Sequence, residues 1–386
     1  MRMKILAVGG GSGGHVTPVV AVLRELKARD SSAEVRFWCD RKFSPQATSI
    51  MRHFDATVPV ETIVSGKLRR YHNLPLWRQL LRPVSIVLPN IRDAFLVVCG
   101  VVQSVVKLML WRPDVVFTKG GFVCLPVGIA AKLLRIPLVI HDSDAHPGLT
   151  NRVLSRWATR IATGAPLSYY PYPKAISAYV GIPVAEEFVP LTTSARQEIK
   201  QALGFDQTLP LIVVTGGGLG ARRLNDVVAK QLGNLREIGN IVLISGSDQY
   251  DELRALTSES DSRFQLHAFV SSGMAHLLGA ADIVVARAGA TTILELAALA
   301  RPTVLVPNGY LTGGHQLKNA AVYAENGAVE VINEHELDAK PQLLVDMLRT
   351  LLAQPDRLEV MSASIHTYAK PQAAKDMADM IVAAAK

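Results

Sequence analysis

Twice in this 386-residue chain a short apolar run empties into a glycine cluster that opens a helix. The first is KILAV (4–8) followed by Gly9-Gly10-Gly11-Ser12-Gly13-Gly14; the second is LIVVT (211–215) followed by Gly216-Gly217-Gly218-Leu219-Gly220-Ala221. They fit G-x-G-x-x-G and G-x-G-x-x-A. Glycines let the backbone approach a phosphate closely, and a helix start supplies free N–H groups and positive dipole. One such match is weak evidence of a dinucleotide site. Two, each opening a similar half-chain, point to a ligand held in a cleft between two related domains. The bland alternative is that the glycines serve only tight strand-to-helix turns.

The surrounding pattern agrees with two such halves. Strands are expected at 34–39, 114–118, 137–141 and 160–163, with helices at 17–28, 122–134 and 149–157 between them. Pro18 then falls near a first turn, where proline is tolerated. The second half repeats the rhythm, with strands at 241–245, 264–269, 282–286 and 303–307 and helices at 221–236, 291–299 and 315–326. Strand and helix in alternation mean an α/β fold with parallel sheets covered on both faces. Expected boundaries are 1–165 for an N-terminal domain, 166–200 for a Pro- and Tyr-rich linker and 201–365 for a C-terminal domain. A C-terminal helix at 366–386 can pack back on the N-terminal domain.

Three cysteines, Cys39, Cys99 and Cys124, cannot form a disulfide framework and read as reduced thiols of an intracellular protein. The first residues run straight into the glycine cluster, so a secretory signal is not expected. The net charge is +8, which admits nucleic acid, anionic membrane or phosphorylated small molecules as partners. No zinc spacing, aromatic nucleic-acid motif or basic helix accompanies the basic clusters, so nucleic acid is not expected. Residues 94–111 are nearly long enough to cross a membrane but contain Gln103, Ser104 and Lys107. Ile91, Ala94, Phe95, Val98, Val101, Val102, Val105, Val106 and Met109 share one helical face. With Trp77, Arg78, Arg82 and Arg92 upstream, this suits either an interfacial segment or a buried helix with solvated ends.

Several polar groups stand where ligands bind. His15, at a helix N-terminus, suits a neutral base or a hydrogen-bond partner. His141 to His146 end a strand at the ligand-facing edge and suit substrate hydrogen bonding better than metal, because no second cluster has ligand spacing. Thr291 and Thr292 can cradle a diphosphate, and Glu295 can accept both hydroxyls of a ribose; alternatively Thr291 is a plain N-cap. Asp40 ends the second strand where a nicotinamide-dinucleotide ribose would sit, so an NAD-dependent oxidoreductase is a rival reading.

Taken together, GGGSGGHVTP (9–18), SGKLRRY (65–71), KGGFVCLPVGIAAK (119–132), IHDSDAHPGLTNR (140–152), TGGGLGARRLN (215–225), RAGATTILELA (287–297) and GGHQLKNA (313–320) resemble the MurG family of glycosyltransferase family 28. The likeness runs in order over nearly the whole chain, in the form common among Gram-positive members. It implies the GT-B fold: two Rossmann-like domains with parallel sheets facing across a cleft. It also implies an inverting hexosyltransferase that moves N-acetylglucosamine from UDP-N-acetylglucosamine to the muramyl 4-hydroxyl of lipid I. On this resemblance Glu295 holds the ribose, and Ala290, Thr291, Thr292, Ile293 and Leu294 the diphosphate. Val270 holds the uracil, Gln316 the sugar hydroxyls, and Gly218 belongs to the second glycine loop. Ser12, Gly13, Gly14 and Asp144 line the N-terminal side, with His15 as general base. No cofactor or bound metal is implied, and the resemblance implies a place on the cytoplasmic face of an anionic membrane without spanning it.

Three positions depart from the family pattern. Ala185 stands where many members have a donor-contacting arginine, Gly218 where they have a serine, and Asp144 where asparagine is frequent. Arg222 or backbone N–H groups are expected to compensate. Another GT-B glycolipid transferase, or a UDP-sugar-binding protein without turnover, remains compatible with these losses.

Overall fold

The computed structural model describes residues 2–10, 13–68, 83–217, 220–255, 262–309 and 314–386; of His15 and Pro83 it describes only the backbone. The chain forms two compact units, Met1–Ala185 with Lys370–Lys386, and Glu186–Ala369.

In the first unit the elements run β1 (Lys4–Val8), α1 (Gly13–Arg29), β2 (Glu34–Cys39), α2 (Ser44–Phe54), β3 (Val60–Thr62), α3 (Leu88–Trp111), β4 (Val115–Thr118), α4 (Cys124–Leu133), β5 (Leu138–Asp142), α5 (Leu149–Leu154), β6 (Arg160–Thr163) and β7 (Ser177–Tyr179). The seven strands are parallel in the order β3-β2-β1-β4-β5-β6-β7. The order reverses between β1 and β4, and the carboxyl ends of strands at such a switch point are where doubly wound sheets bind ligands.

The second unit repeats the plan with α6 (Thr193–Ala202), β8 (Leu211–Thr215), α7 (Arg222–Ile238), β9 (Asn240–Ile244), α8 (Tyr250–Arg254), β10 (Phe264–His267), α9 (Met274–Ala280), β11 (Ile283–Ala286), α10 (Ala290–Ala298), β12 (Thr303–Leu305), α11 (His315–Ala324), β13 (Glu330–Val331), α12 (Glu334–Ala339), α13 (Gln342–Leu352) and α14 (Pro355–His366). Its parallel order is β10-β9-β8-β11-β12-β13, with the switch between β8 and β11. The last helix, α15 (Ala373–Ala385), lies in the first unit. Its Ala373, Met377, Ala378 and Ile381 are buried in one core with Val16, Val19 and Leu23 of α1 and Phe37 of β2.

The central strands are buried on both faces, which is why they read as continuous apolar runs. Two details differ from the sequence reading, and a third is one it left open. α1 begins four residues earlier than expected, inside the glycine loop, so Pro18 lies in its interior and has no N–H to return to residue 14. The edge strands β3, β7 and β13 are only two or three residues long. The third is the orientation of α3. Ile91, Phe95, Val98, Val102, Val106 and Met109 are exposed, whereas Asp93, Gly100 and Ser104 are buried. Small and polar residues make most of the packed face, joined near the C-terminal end of the helix by Leu108 and Trp111. Gln103 accepts from the Val64 N–H at 2.8 Å and donates to the Thr62 carbonyl at 3.3 Å.

Candidate active site

At the carboxyl edge of the first sheet, three loops meet around the switch point. The loop after β1 is backed by the one after β4: Lys119 N–H donates to the Val8 carbonyl at 2.9 Å. A Cβ on Gly121 (φ +93°) would lie 2.8 Å from the Gly10 carbonyl oxygen. A Cβ on Gly10 would lie 2.5 Å from an Asp40 carboxylate oxygen. Backbone packs on backbone at Gly121, whose positive φ also favours glycine, while at Gly10 a buried carboxylate occupies the space of a Cβ. Asp40 is buried and accepts from Phe43 N–H at 3.1 Å, closing the turn into α2. Its burial and its role in this turn give Asp40 a structural place that needs no ribose, which weakens the oxidoreductase reading.

Ser12 lies outside the described residues. Gly13, Gly14 and His15 are the first three residues of α1, so their position at a helix N-terminus is fixed by the backbone. The third loop follows β5. Asp144 is partly buried, and its carbonyl accepts from Tyr170 OH at 2.7 Å. Asp142, buried, accepts from Tyr172 OH at 2.6 Å; burial pushes its carboxyl up to about 7. Tyr170 and Tyr172 stack with centroids 5.5 Å apart. The Pro- and Tyr-rich stretch is in this part a wall of the acidic turn.

The second unit offers a different surface. α10 starts after Gly289 with no side-chain cap, so Thr291 is not an N-cap. The Ile293 N–H is taken by the Gly289 carbonyl at 3.0 Å, which leaves the N–H groups of Ala290, Thr291 and Thr292 outside the intrahelical ladder. Ile293 and Leu294 send their side chains into the core. Glu295 follows one turn on. Among the described residues nothing donates to its carboxyl, and burial pushes it up from 4.5 to about 7.

Two further loops are braced against this helix start. Arg287 donates to the Val306 carbonyl at 2.9 Å and pairs with buried Glu334. Asn319 donates to the Ala288 carbonyl at 3.0 Å. The Gln316 amide oxygen accepts from Asn308 N–H at 2.8 Å, which leaves its NH2 for another acceptor. Val270 lines a hollow of about 410 Å³ with Phe269, Ser271, His276, Leu277 and Leu203; the ring of Phe269 is largely exposed. Gly218 lies outside the described residues. Its neighbour Gly220 (φ +72°) could not carry a Cβ, which would meet the Ser245 carbonyl oxygen at 2.4 Å. Arg222 opens α7 with its guanidinium exposed and paired to Glu252 at 2.9 Å. Ala185 is the last residue of the first unit's main segment.

The expected residues thus fall on two sheet edges: Gly13, Gly14, His15 and Asp144 on one, and Val270, Ala290 to Glu295 and Gln316 on the other. Sequence reasoning missed Lys119, the Asp142–Tyr172 pair and the Arg287–Glu334 brace. For Lys119 the available signal was a charged residue immediately after a short, largely apolar strand.

Residues 5–163 match the glycosyltransferase family 28 N-terminal domain, and residues 211–379 match its C-terminal domain. A Clostridium kluyveri UDP-N-acetylglucosamine--N-acetylmuramyl-(pentapeptide) pyrophosphoryl-undecaprenol N-acetylglucosamine transferase is 33% identical over 385 residues, covering 98% of each chain. A Bacillus cereus transferase of the same name, numbered 2, is 32% identical over 87% of this chain and 88% of its own. Among solved structures, Acinetobacter baumannii MurG aligns with a TM-score of 0.73 at 24% identity, covering 99% of this chain and 100% of that one. A Neisseria meningitidis UDP-GlcNAc 2-epimerase bound to UDP-GlcNAc aligns at 0.68 and 14%, covering 99% and 100%. At these identities the two structures speak for the fold.

Proposed function

This chain belongs to glycosyltransferase family 28, and on that premise we propose that it is the UDP-N-acetylglucosamine-dependent hexosyltransferase that converts lipid I to lipid II in peptidoglycan synthesis. Its donor is UDP-N-acetylglucosamine and its acceptor is undecaprenyl-pyrophosphoryl-N-acetylmuramyl-pentapeptide. The likeness to a Clostridium kluyveri transferase of that name over 98% of the chain carries the conclusion.

In the reaction the muramyl 4-hydroxyl attacks the anomeric carbon of N-acetylglucosamine. The C1–O bond to UDP breaks, and the configuration inverts. Two demands follow: a base for the hydroxyl proton, and stabilisation of the negative charge that gathers on the departing diphosphate. We assign the second to the start of α10, where three N–H groups and the helix dipole face one way without a capping side chain. Glu295, one turn further, is then one helical turn from the diphosphate and suited to a ribose diol. The Gln316 NH2 and Val270 serve the sugar and the base. A bound metal is not part of this proposal, so activity after treatment with EDTA should persist.

His15 is proposed to take the hydroxyl proton. His15→Asn should lower kcat by about 10²–10⁴-fold while UDP affinity stays the same. Near-normal turnover would remove the base role.

We also propose that the protein works on the cytoplasmic face of an anionic membrane. Val84–Trp111 is long and apolar enough to cross a bilayer, with a mean hydropathy of 2.0 in its most apolar stretch. Gln103 and the buried Gly100 and Ser104 hold the helix to the first unit, which suits a helix lying in the interface with its outer face in lipid.

The deciding experiment measures UDP release from UDP-N-acetylglucosamine with and without a short-chain lipid I analogue. Release that depends on the analogue is expected. Donor binding with no release in its presence would move the assignment to another acceptor or to a binding protein.

A further inference from the structure

Lys119 is 1% exposed. It follows β4 directly, at the switch point of the first sheet, and its backbone is tied to the end of β1. A lysine is rarely buried without a purpose, because an ammonium out of water must be paired. Its Nζ donates to the Ser143 hydroxyl. The Ser143 O–H can donate onward to His141 Nδ1 at 3.4 Å, and His141 Nε2–H donates to the Gly181 carbonyl at 2.7 Å. In that arrangement the imidazole is neutral and every group in the chain has its correct role.

The polar and titratable groups around the ammonium come from two elements. β5 and the turn after it bring Asp142, Ser143 and Asp144; α4 brings the Cys124 thiol. Tyr172 faces Asp142 from behind. Burial pulls the ammonium down to about 8, against the attraction of Asp144 and Asp142. This is a buried cation tied through Ser143 to a turn that carries two carboxyl groups, at the carboxyl edge of the first sheet.

We propose that Lys119 is a positioning residue for the transfer: it is the buried counter-charge that fixes the Asp142–Asp144 turn and neutralises it, so that Asp144 can meet a sugar hydroxyl of the anionic acceptor without repelling it. The inference rests on the transferase reading above. Lys119 acts from below and does not touch the substrate.

The test is a cycle of wild type, Lys119→Met, Asp144→Asn and the double variant, read by acceptor-dependent UDP release between pH 6.5 and 9.5 and by thermal melting. Lys119→Met should lower kcat/KM by about a hundredfold through misplacement of the turn, while affinity for UDP alone is unchanged. The double variant should recover at least about tenfold over Lys119→Met, because it removes one of the two carboxyls whose charge Lys119 offsets. Wild-type kcat/KM should decline as pH rises through about 8, where the ammonium discharges, and that limb should be absent from Lys119→Met. Ser143→Ala, which takes away an acceptor of the ammonium, should move the limb to lower pH. It serves as the probe if Lys119→Met does not fold.

A Lys119→Met activity within threefold of wild type, a double variant equal to the product of its parts, or a limb unmoved by Ser143→Ala would each overturn the proposal. If the wild type shows no acceptor-dependent release, the transferase reading fails instead. The melting temperatures of the same four proteins then still report whether the two charges are coupled.

Discussion

Replacing Glu295 with glutamine should stabilise the protein and weaken its grip on the donor. Ionising a carboxyl that has moved from 4.5 to about 7 costs about 3 kcal/mol in the folded, ligand-free state, at about 1.36 kcal/mol per pH unit. The side chain keeps partial contact with solvent, which trims the figure to about 2 kcal/mol. Between pH 4.5 and 7 the folded protein holds a proton that the unfolded chain has already released. This contribution to stability is therefore present in full below pH 4.5 and lost as pH rises through about 7. Glutamine has no proton to lose. At pH 8 the ligand-free Glu295→Gln variant should melt about 4–8 °C above wild type for a unit of this size, and at pH 4.5 the two should coincide. With donor present the order reverses. A glutamine gives up a charge-assisted acceptor for the ribose hydroxyls, a loss of about 1.5–3 kcal/mol, or roughly ten- to hundredfold in UDP affinity. Wild-type affinity should weaken as pH falls from 8 to 6, because the ribose prefers the ionised form, and the variant's should not. Scanning fluorimetry without ligand and calorimetric UDP titration across that range measure both effects. A variant that melts below wild type at pH 8 would refute the desolvation argument, and unchanged UDP affinity would refute the ribose contact.

Other perturbations follow from single contacts. Arg287→Met leaves Glu334 buried without its main partner and should cost about 3–5 kcal/mol, with Arg287→Met/Glu334→Leu recovering most of it in a denaturant titration. Gly100→Ala lies in a helix interior, where propensity alone would favour alanine by about 1 kcal/mol. Its Cβ would stand 2.0 Å from the Val64 carbonyl oxygen, so a net loss of about 1–3 kcal/mol is expected instead; a higher melting temperature would contradict the close packing of residues 62–66 on α3. Phe95→Asp with Val102→Asp alters only the outer face of α3. It should abolish sedimentation with anionic vesicles and leave turnover of a short-chain, water-soluble acceptor within twofold; retained vesicle binding would place the lipid contact elsewhere.

The fold was legible because its strands are buried on both faces and end in glycines, as at Val8 and Thr215. β3, β7 and β13 were not, since a two- or three-residue edge strand is made by its neighbour's open hydrogen bonds rather than by its own pattern. The helical period of α3 was legible, but not its direction. A stripe of Phe95, Val98 and Val102 looks the same whether it faces protein or lipid, and only Gln103 and Gly100 on the other side reveal the packed face. At the candidate site, motif positions such as Glu295 and Gln316 stood out in the sequence. Lys119 did not, because its meaning depends on Ser143 and Asp144, brought to it from the neighbouring strand by the parallel register of β4 and β5.

The first unit borrows its closing helix from the far end of the chain, and this fixes an order of events during translation. The ribosome finishes Met1–Ala185 long before it makes α15, so a nascent first unit must wait with Val16, Val19 and Leu23 lacking their partners Met377 and Ile381. Glu186–Ala369 is contiguous and can complete its core meanwhile. A premature stop just after residue 369 therefore harms the half that was synthesised first and spares the half synthesised last. Holdase chaperones should accordingly be recovered on ribosomes stalled within the second unit, bound to segments some two hundred residues upstream of the stall.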